Sequence, residues 1–240
     1  MTASAEHDSG TATRILAAAG ELVLKRGVKG VTVAEIAEKA HVGKGTAYLY
    51  WPTKEDLLIG LFAREFLAVV DADIDALTSD PDLCRPHRLC PRLVRNVLDR
   101  PFVRALQTGD ADLLGALTQN PRSMQLLDML GPVALMRTVL PLWRQHGLAR
   151  TDWPLDEQVY ALHAFMTGFL DAATHPQVLR GVTVDAPDKV MAASVTALLG
   201  PEQGSPAEVQ ATASEGLRLL HEGRTALLAL ITTDQEAKRG

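Results

Sequence analysis

The stretch "KGTAYLYW", residues 44–51, sets a cation, a glycine, a hydroxyl, a phenol and a bare aliphatic side chain close together. On a helix, residues 44, 45, 48 and 49 share one face, and 47, 50 and 51 share another. The latter face carries Ala47, Tyr50 and Trp51, which suit packing. The former carries Lys44, Gly45, Tyr48 and Leu49 and has no reason to turn inward. Its chemistry suits a phosphate-lined groove. Lys44 can hold a phosphate or the O6 and N7 atoms of guanine. Tyr48 can donate to a phosphate and lay its ring against a thymine methyl, and Thr46 can approach a phosphate from the side. Gly45 lets the backbone lie close to base edges, at a helical cost of about 1 kcal/mol.

The flanking sequence supplies elements to hold that face. "TRILAAAGELVLKRG" places Ile15, Ala18, Ala19, Leu22 and Val23 on one helical side, and Gly27 stands where that helix stops. "TVAEIAEKA" opens with Thr32 and has Glu35 three positions on, a capping box in which each side chain satisfies an orphan amide. A tight link, "HVG", joins that helix to the short one over 44–51, which Pro52 stops. Thr53 caps the next, with Asp56 at the capping-box position. Two short helices joined this way form a helix-turn-helix reader of duplex DNA. Lys54 opposes the helix dipole from a first turn, and a nearby phosphate would compensate it; Thr32 opens its helix in the same way. A plain bundle corner is the alternative, and it leaves the exposed edge and Lys54 unexplained.

The order and spacing of "TVAEIAEKAHVGKGTAYLYWPTKEDLL" resemble the DNA-binding signature of the tetracycline-repressor (TetR) family. The resemblance covers about 45 residues. It implies DNA contact by Thr32, Lys44, Gly45, Thr46, Tyr48, Leu49, Tyr50 and Lys54. Four positions depart from the family pattern. His41 replaces a turn glycine, and histidine tolerates positive φ better than most residues. Gly43 replaces a capping serine. Leu49 stands where a polar or aromatic reader is common, which reduces readout there to apolar contact. Trp51 replaces phenylalanine, a change of core packing.

Beyond this segment the chain reads as more helix, near 54–78, 86–98, 101–118, 121–146, 155–174, 187–199 and 205–235, broken by prolines and by "GPEQGSP". No stretch alternates with period two, so the expected class is all-α. The expected organisation is a disordered tail over 1–10, the helix-turn-helix domain over 11–56, and a helical ligand-binding and dimerisation domain over 57–240. The net charge of −5 is unevenly spread, with 7 Lys/Arg against 5 Asp/Glu in 11–56 and 17 against 22 beyond. A mildly basic head on an acidic body is compatible with a DNA reader.

The resemblance implies a homodimer on a pseudo-palindromic operator, and hence a self-complementary surface. In 155–174, Leu155, Val159, Leu162, Met166, Phe169 and Ala173 form a bulky stripe, and Ala161, Ala164, Gly168 and Ala172 a small one. The expectation is bulk toward the core and smallness toward the partner, with Leu217, Leu220 and Leu227 on the last helix completing an intersubunit four-helix bundle. Two ordinary core helices are the alternative. For an apolar effector, Gly131-Pro132 and Pro141 should kink the helix at 121–146. Met124, Leu127, Met136, Leu140 and Trp143, with Phe165 or Phe169 opposite, would enclose the effector, and Arg137 or His163 would anchor it. A methionine-softened core is the alternative there.

Other classes find less support. There is no HExxH, G-x-S-x-G, P-loop or dinucleotide fingerprint, so neither enzyme nor cofactor is expected. "CRPHRLC" at 84–90 raises a metal site or an arginine-activated redox pair of Cys84 and Cys90, but its spacing spreads three ligands around a helix and no fourth is evident. An architectural, effector-free DNA protein also stays open. The start "MTASAEHDSG" lacks the features of a signal peptide, and 124–143 is interrupted by Asp128, Pro132, Arg137 and Pro141. The expectation is a cytoplasmic protein with reduced thiols and no membrane partner.

Overall fold

The computed structural model describes residues 10–110, 121, 124–125 and 131–236. Among them there are helices and no strand, as expected for an all-α chain. The tail expected over 1–10 lies outside them except for Gly10, which opens α1 (Gly10–Arg26). Then come α2 (Val33–Lys39), α3 (Lys44–Tyr50) and α4 (Lys54–Ser79), a 3-10 turn at Pro81–Cys84, α5 (Pro86–Leu98) and α6 (Pro101–Thr108). The order continues with α7 (Pro132–Gln145), α8 (Leu155–Thr174), a second 3-10 turn at Pro176–Leu179, α9 (Pro187–Leu199) and α10 (Pro206–Glu236).

The chain divides into two compact units. Described residues up to Val69, between Pro101 and Leu127, and from Gly223 fall in the first; those of Val70–Arg100 and Asp128–Glu222 fall in the second. In the first unit, Ile15, Leu16, Ala19 and Val23 of α1 are buried with Val33, Ile36 and Ala37 of α2, Ala47 and Trp51 around α3, and Leu57 and Leu58 of α4. Gly27 ends α1 at φ +66°, and its amide donates to the Val23 carbonyl at 2.8 Å. Trp51 is buried against α4: a Cβ added at Gly60 would lie 2.7 Å from its Nε1. Only a glycine lets the indole come so close. The Phe62 and Phe102 rings meet edge to face, centroids 5.5 Å apart.

The second unit is built around Met136, Leu140 and Trp143 of α7, Val159, Leu162 and Met166 of α8, and Met191, Val195 and Leu199 of α9. These spacings of three and four are helical stripes, each turned toward a common core. Two buried polar side chains inside it are satisfied. Trp143 Nε1 donates to the Cys84 carbonyl at 2.7 Å. The buried Gln158 accepts from Arg144 and donates to the Arg150 carbonyl, both at 3.2 Å. Arg92 ties α5 to Asp73 of α4 at 2.9 Å.

One expectation needs correction. Gly131-Pro132 does not kink a helix; Gly131 is the N-cap of α7 and Pro132 its first residue. A proline there loses nothing, because its missing amide would be an orphan at a helix start. Pro141 does lie inside α7.

Candidate nucleic-acid interface

The helix that carries the candidate face is only seven residues long, too short to be stable by propensity alone. Tertiary anchors hold it. Ala47 is wholly buried and Trp51 nearly so. The Tyr50 ring, half-buried, lies 5.6 Å from the Trp51 ring. Before it, α2 is fixed by its capping box: Thr32 N–H donates to Glu35 at 2.9 Å, and Glu35 N–H donates to the Thr32 hydroxyl at 3.3 Å. The Thr32 hydroxyl, above all, holds the Glu35 carboxyl below its ordinary range, with Arg26 adding to it. Arg26–Glu35 and Lys39–Glu21 pairs at 2.8 and 2.9 Å brace α2 against α1. His41 takes φ +55° in the turn, the strain its place in the link suggested.

With one side of α3 held, the other faces outward. Lys44 and Gly45 are exposed, Tyr48 is 40% exposed, and Leu49 is 85% exposed. Lys44 Nζ sits 5.7 Å from the Tyr48 ring centroid, a cation–π contact that steers its stem along the helix. A Cβ built at Gly45 meets nothing within 4 Å, so the glycine is not required by the protein's own packing. Thr46 is half-buried. Gly43 caps the helix without a side-chain bond, leaving first-turn amides without a side-chain acceptor.

Two expected contact residues already have partners within the chain, the first announced by the capping box and the second not. Thr32 is exposed, with its hydroxyl engaged by Glu35 at 2.8 Å. The Lys54 ammonium donates to the Val28 carbonyl at 2.6 Å, tying the start of α4 to the link between α1 and α2. That bond, across 26 residues, compensates the cation at the helix start without a phosphate.

The family description "Bacterial regulatory proteins, tetR family" matches residues 15–61, which span this whole arrangement. The "Fatty acid metabolism regulator protein" of Bacillus subtilis (strain 168) is 39% identical over 180 residues, covering 66% of this chain and 91% of the relative. The chain belongs to the TetR family. It is accordingly a DNA-binding transcriptional regulator. It is also 45% identical over 53 residues to the "HTH-type transcriptional repressor KstR" of Rhodococcus jostii (strain RHA1), 22% of this chain. The chain spans 25% of KstR and 28% of another curated relative it matches. In fold it is similar to the fatty acid degradation regulator FadR of Bacillus halodurans. The TM-score is 0.53 at 18% identity, over 82% of this chain and 99% of that one.

The expected effector residues of this TetR-family chain do not gather as one wall. Met136, Leu140 and Trp143 are packed core rather than pocket lining. Phe165 and Phe169, with ring centroids 4.9 Å apart, pack against the same core. Arg137 is exposed on the flank of α7, 3.8 Å from Asp156, because position 137 falls off the 136/140/143 stripe. Met124 is exposed and belongs to the first unit, and Leu127 lies outside the described residues. His163 keeps a buried Nδ1 with no hydrogen-bond partner among the described residues. Two open clefts of about 630 and 330 Å³ lie in the second unit. One is lined by Arg150, Asp152 and α9, the other by α5 and α9, and neither includes an expected effector residue.

On α8, Val159, Leu162 and Met166 are buried while Ala164 and Gly168 are exposed, and Ala161 and Ala172 are half-buried. Leu155 and Ala173, expected inside, are exposed. Leu217 and Leu220 pack partly against the second core. Leu227 is wholly buried within its own chain, which removes it from a partner surface.

Cys84 and Cys90 are both buried and unbridged. Burial pushes the Cys84 thiol up to about 11, outweighing the neighbouring Arg85, and pushes Cys90 up to about 12. The arginine activation raised as an alternative for "CRPHRLC" is thus overridden by desolvation. No helix among the described residues is long and apolar enough to cross a membrane.

Proposed function

We infer that this TetR-family chain is a repressor that binds a pseudo-palindromic operator as a homodimer and is released by an apolar small molecule. One observation carries the DNA part: α3 is anchored on one side while Lys44, Gly45, Tyr48 and Leu49 remain outward on the other. Such a helix can enter a major groove about 12 Å wide. The repressor name of KstR supports the sign of regulation.

The exposed Ala164 and Gly168, between half-buried Ala161 and Ala172, support a partner surface on α8. Small side chains let a second helix approach closely. A Cβ at Gly168 meets nothing within 4 Å in the single chain, so Gly168→Trp should leave the protomer folded and shift sedimentation from dimer to monomer. An apolar effector is supported by the relative that regulates fatty acid metabolism and by the Phe165/Phe169 pair, with the unpartnered Nδ1 of His163 as a polar anchor. The helix Lys54–Ser79 is unbroken from the reading head onward, an element that both binding events would bias. Effector and operator then weaken each other by the same factor. The test is to select sites from random duplex DNA, then titrate long-chain acyl compounds with and without the selected duplex. Release of DNA is expected; equal acyl affinities in both titrations reject derepression by this ligand class.

A further inference from the structure

Leu49 is more exposed, at 85%, than any other large apolar side chain among the described residues of the chain. It does not stand on a loose loop. It lies one residue from the anchored Tyr50 and two from the buried Trp51 and Ala47. A leucine held rigidly in water on a surface helix stabilises nothing in the free chain.

Helical rows show what surrounds it. Residues 45 and 49 form one i, i+4 row, and 44 and 48 the next. In the second row, Lys44 lies against the Tyr48 ring. In the first, Gly45 has no side chain, and Leu49 stays more than 4 Å from where its Cβ would stand. A helical side chain leans over the turn N-terminal to it, so Leu49 walls one end of a shallow notch floored by Gly45. Lys44, which has no carboxylate partner among the described residues, flanks the notch with positive charge. The notch has an apolar wall and a cationic rim, and it sits on the edge of a reading helix.

A major groove offers one group that such a notch fits. Thymine alone among the bases projects an apolar substituent there, its 5-methyl, beside the phosphate wall that Lys44 would meet. We propose that the Gly45–Leu49 notch reads the 5-methyl group of one thymine in each operator half-site. This rests on the DNA-binding reading above and makes Leu49 a specificity-determining residue. The other occupant considered, an apolar side chain of a partner protein, would have no use for the unpaired lysine beside it.

The experiment uses the full chain and a duplex selected from random DNA with it. Each thymine is replaced in turn by 2′-deoxyuridine, which removes only the methyl group, at symmetric positions of both half-sites. Wild type should lose about fourfold in affinity per half-site at one symmetric pair, the contribution of one buried methyl. Leu49→Ala, which removes no packing from the free chain, should bind thymine and uracil duplexes equally at that pair. Gly45→Ala fills the notch without a clash inside the protein. It should therefore keep or raise the melting temperature while weakening the thymine duplex. Indifference of wild type to uracil at every position overturns the inference, as does a wild-type thymine-to-uracil ratio retained by Leu49→Ala. Failure to select any duplex would instead overturn the DNA reading itself.

Discussion

Leu49 in the first unit and Leu140 in the second are both helical leucines, yet one is 85% exposed and the other is wholly buried. The difference lies in what each helix has to do. On α7, Met136, Leu140 and Trp143 form one stripe turned into a core shared with α8 and α9. On α3, Ala47 and Trp51 already supply the buried side, so Leu49 is surplus to folding. An apolar residue that completes a stripe reports on stability. One set against the stripe reports on what the surface meets.

Mutations should separate the two regions. The largest effect is expected from Trp143→Ala, which empties a buried indole site and orphans the Cys84 carbonyl. A loss of about 3–5 kcal/mol should appear in denaturant or thermal melting. Next come the thiols. Raised pKa values keep Cys84 and Cys90 protonated at pH 8, and reactivity grows only as pH rises toward 11. A disulfide reagent at pH 8 should modify the folded chain roughly a hundredfold more slowly than the urea-unfolded chain. Fast labelling of the native protein would restore the redox reading.

Two glycines then sharpen the contrast within the first unit. Gly60→Ala drives a Cβ to within 2.7 Å of the Trp51 indole nitrogen and should destabilise the fold by about 1–3 kcal/mol. Gly45 faces open space, and its replacement is not expected to destabilise the free chain at all. Smallest in its effect on the fold is Lys44→Ala. It should leave the melting curve in place, weaken operator binding roughly tenfold, and reduce the slope of log affinity against log salt by about one. An unchanged operator affinity would remove Lys44 from the interface.

These contrasts also mark what could be read in advance. The bounds of α5, α8 and α9 match the sequence reading because prolines and caps are local signals. The Thr32–Glu35 and Thr53–Asp56 boxes formed as written. A third, Ser205–Glu208, is equally legible in "SPAE". The outward face of α3 followed from helical periodicity alone. Gly131-Pro132 was ambiguous, since the same pair reads as a kink or a start depending on whether helix precedes it. The Lys54–Val28 bond was out of reach, because it joins residues far apart in sequence. The effector wall was out of reach in a similar way: apolar spacing shows that a face is buried, not whether a cavity or a neighbour covers it.

The central claim is that the outward edge of α3 lies against duplex DNA. The most direct test places a photoreactive benzoyl-phenylalanine at position 49 and maps its crosslinks on a selected duplex. The account predicts crosslinks to major-groove base edges at two symmetric positions about one helical turn apart. Crosslinks absent from the DNA, or distributed without symmetry, would contradict it.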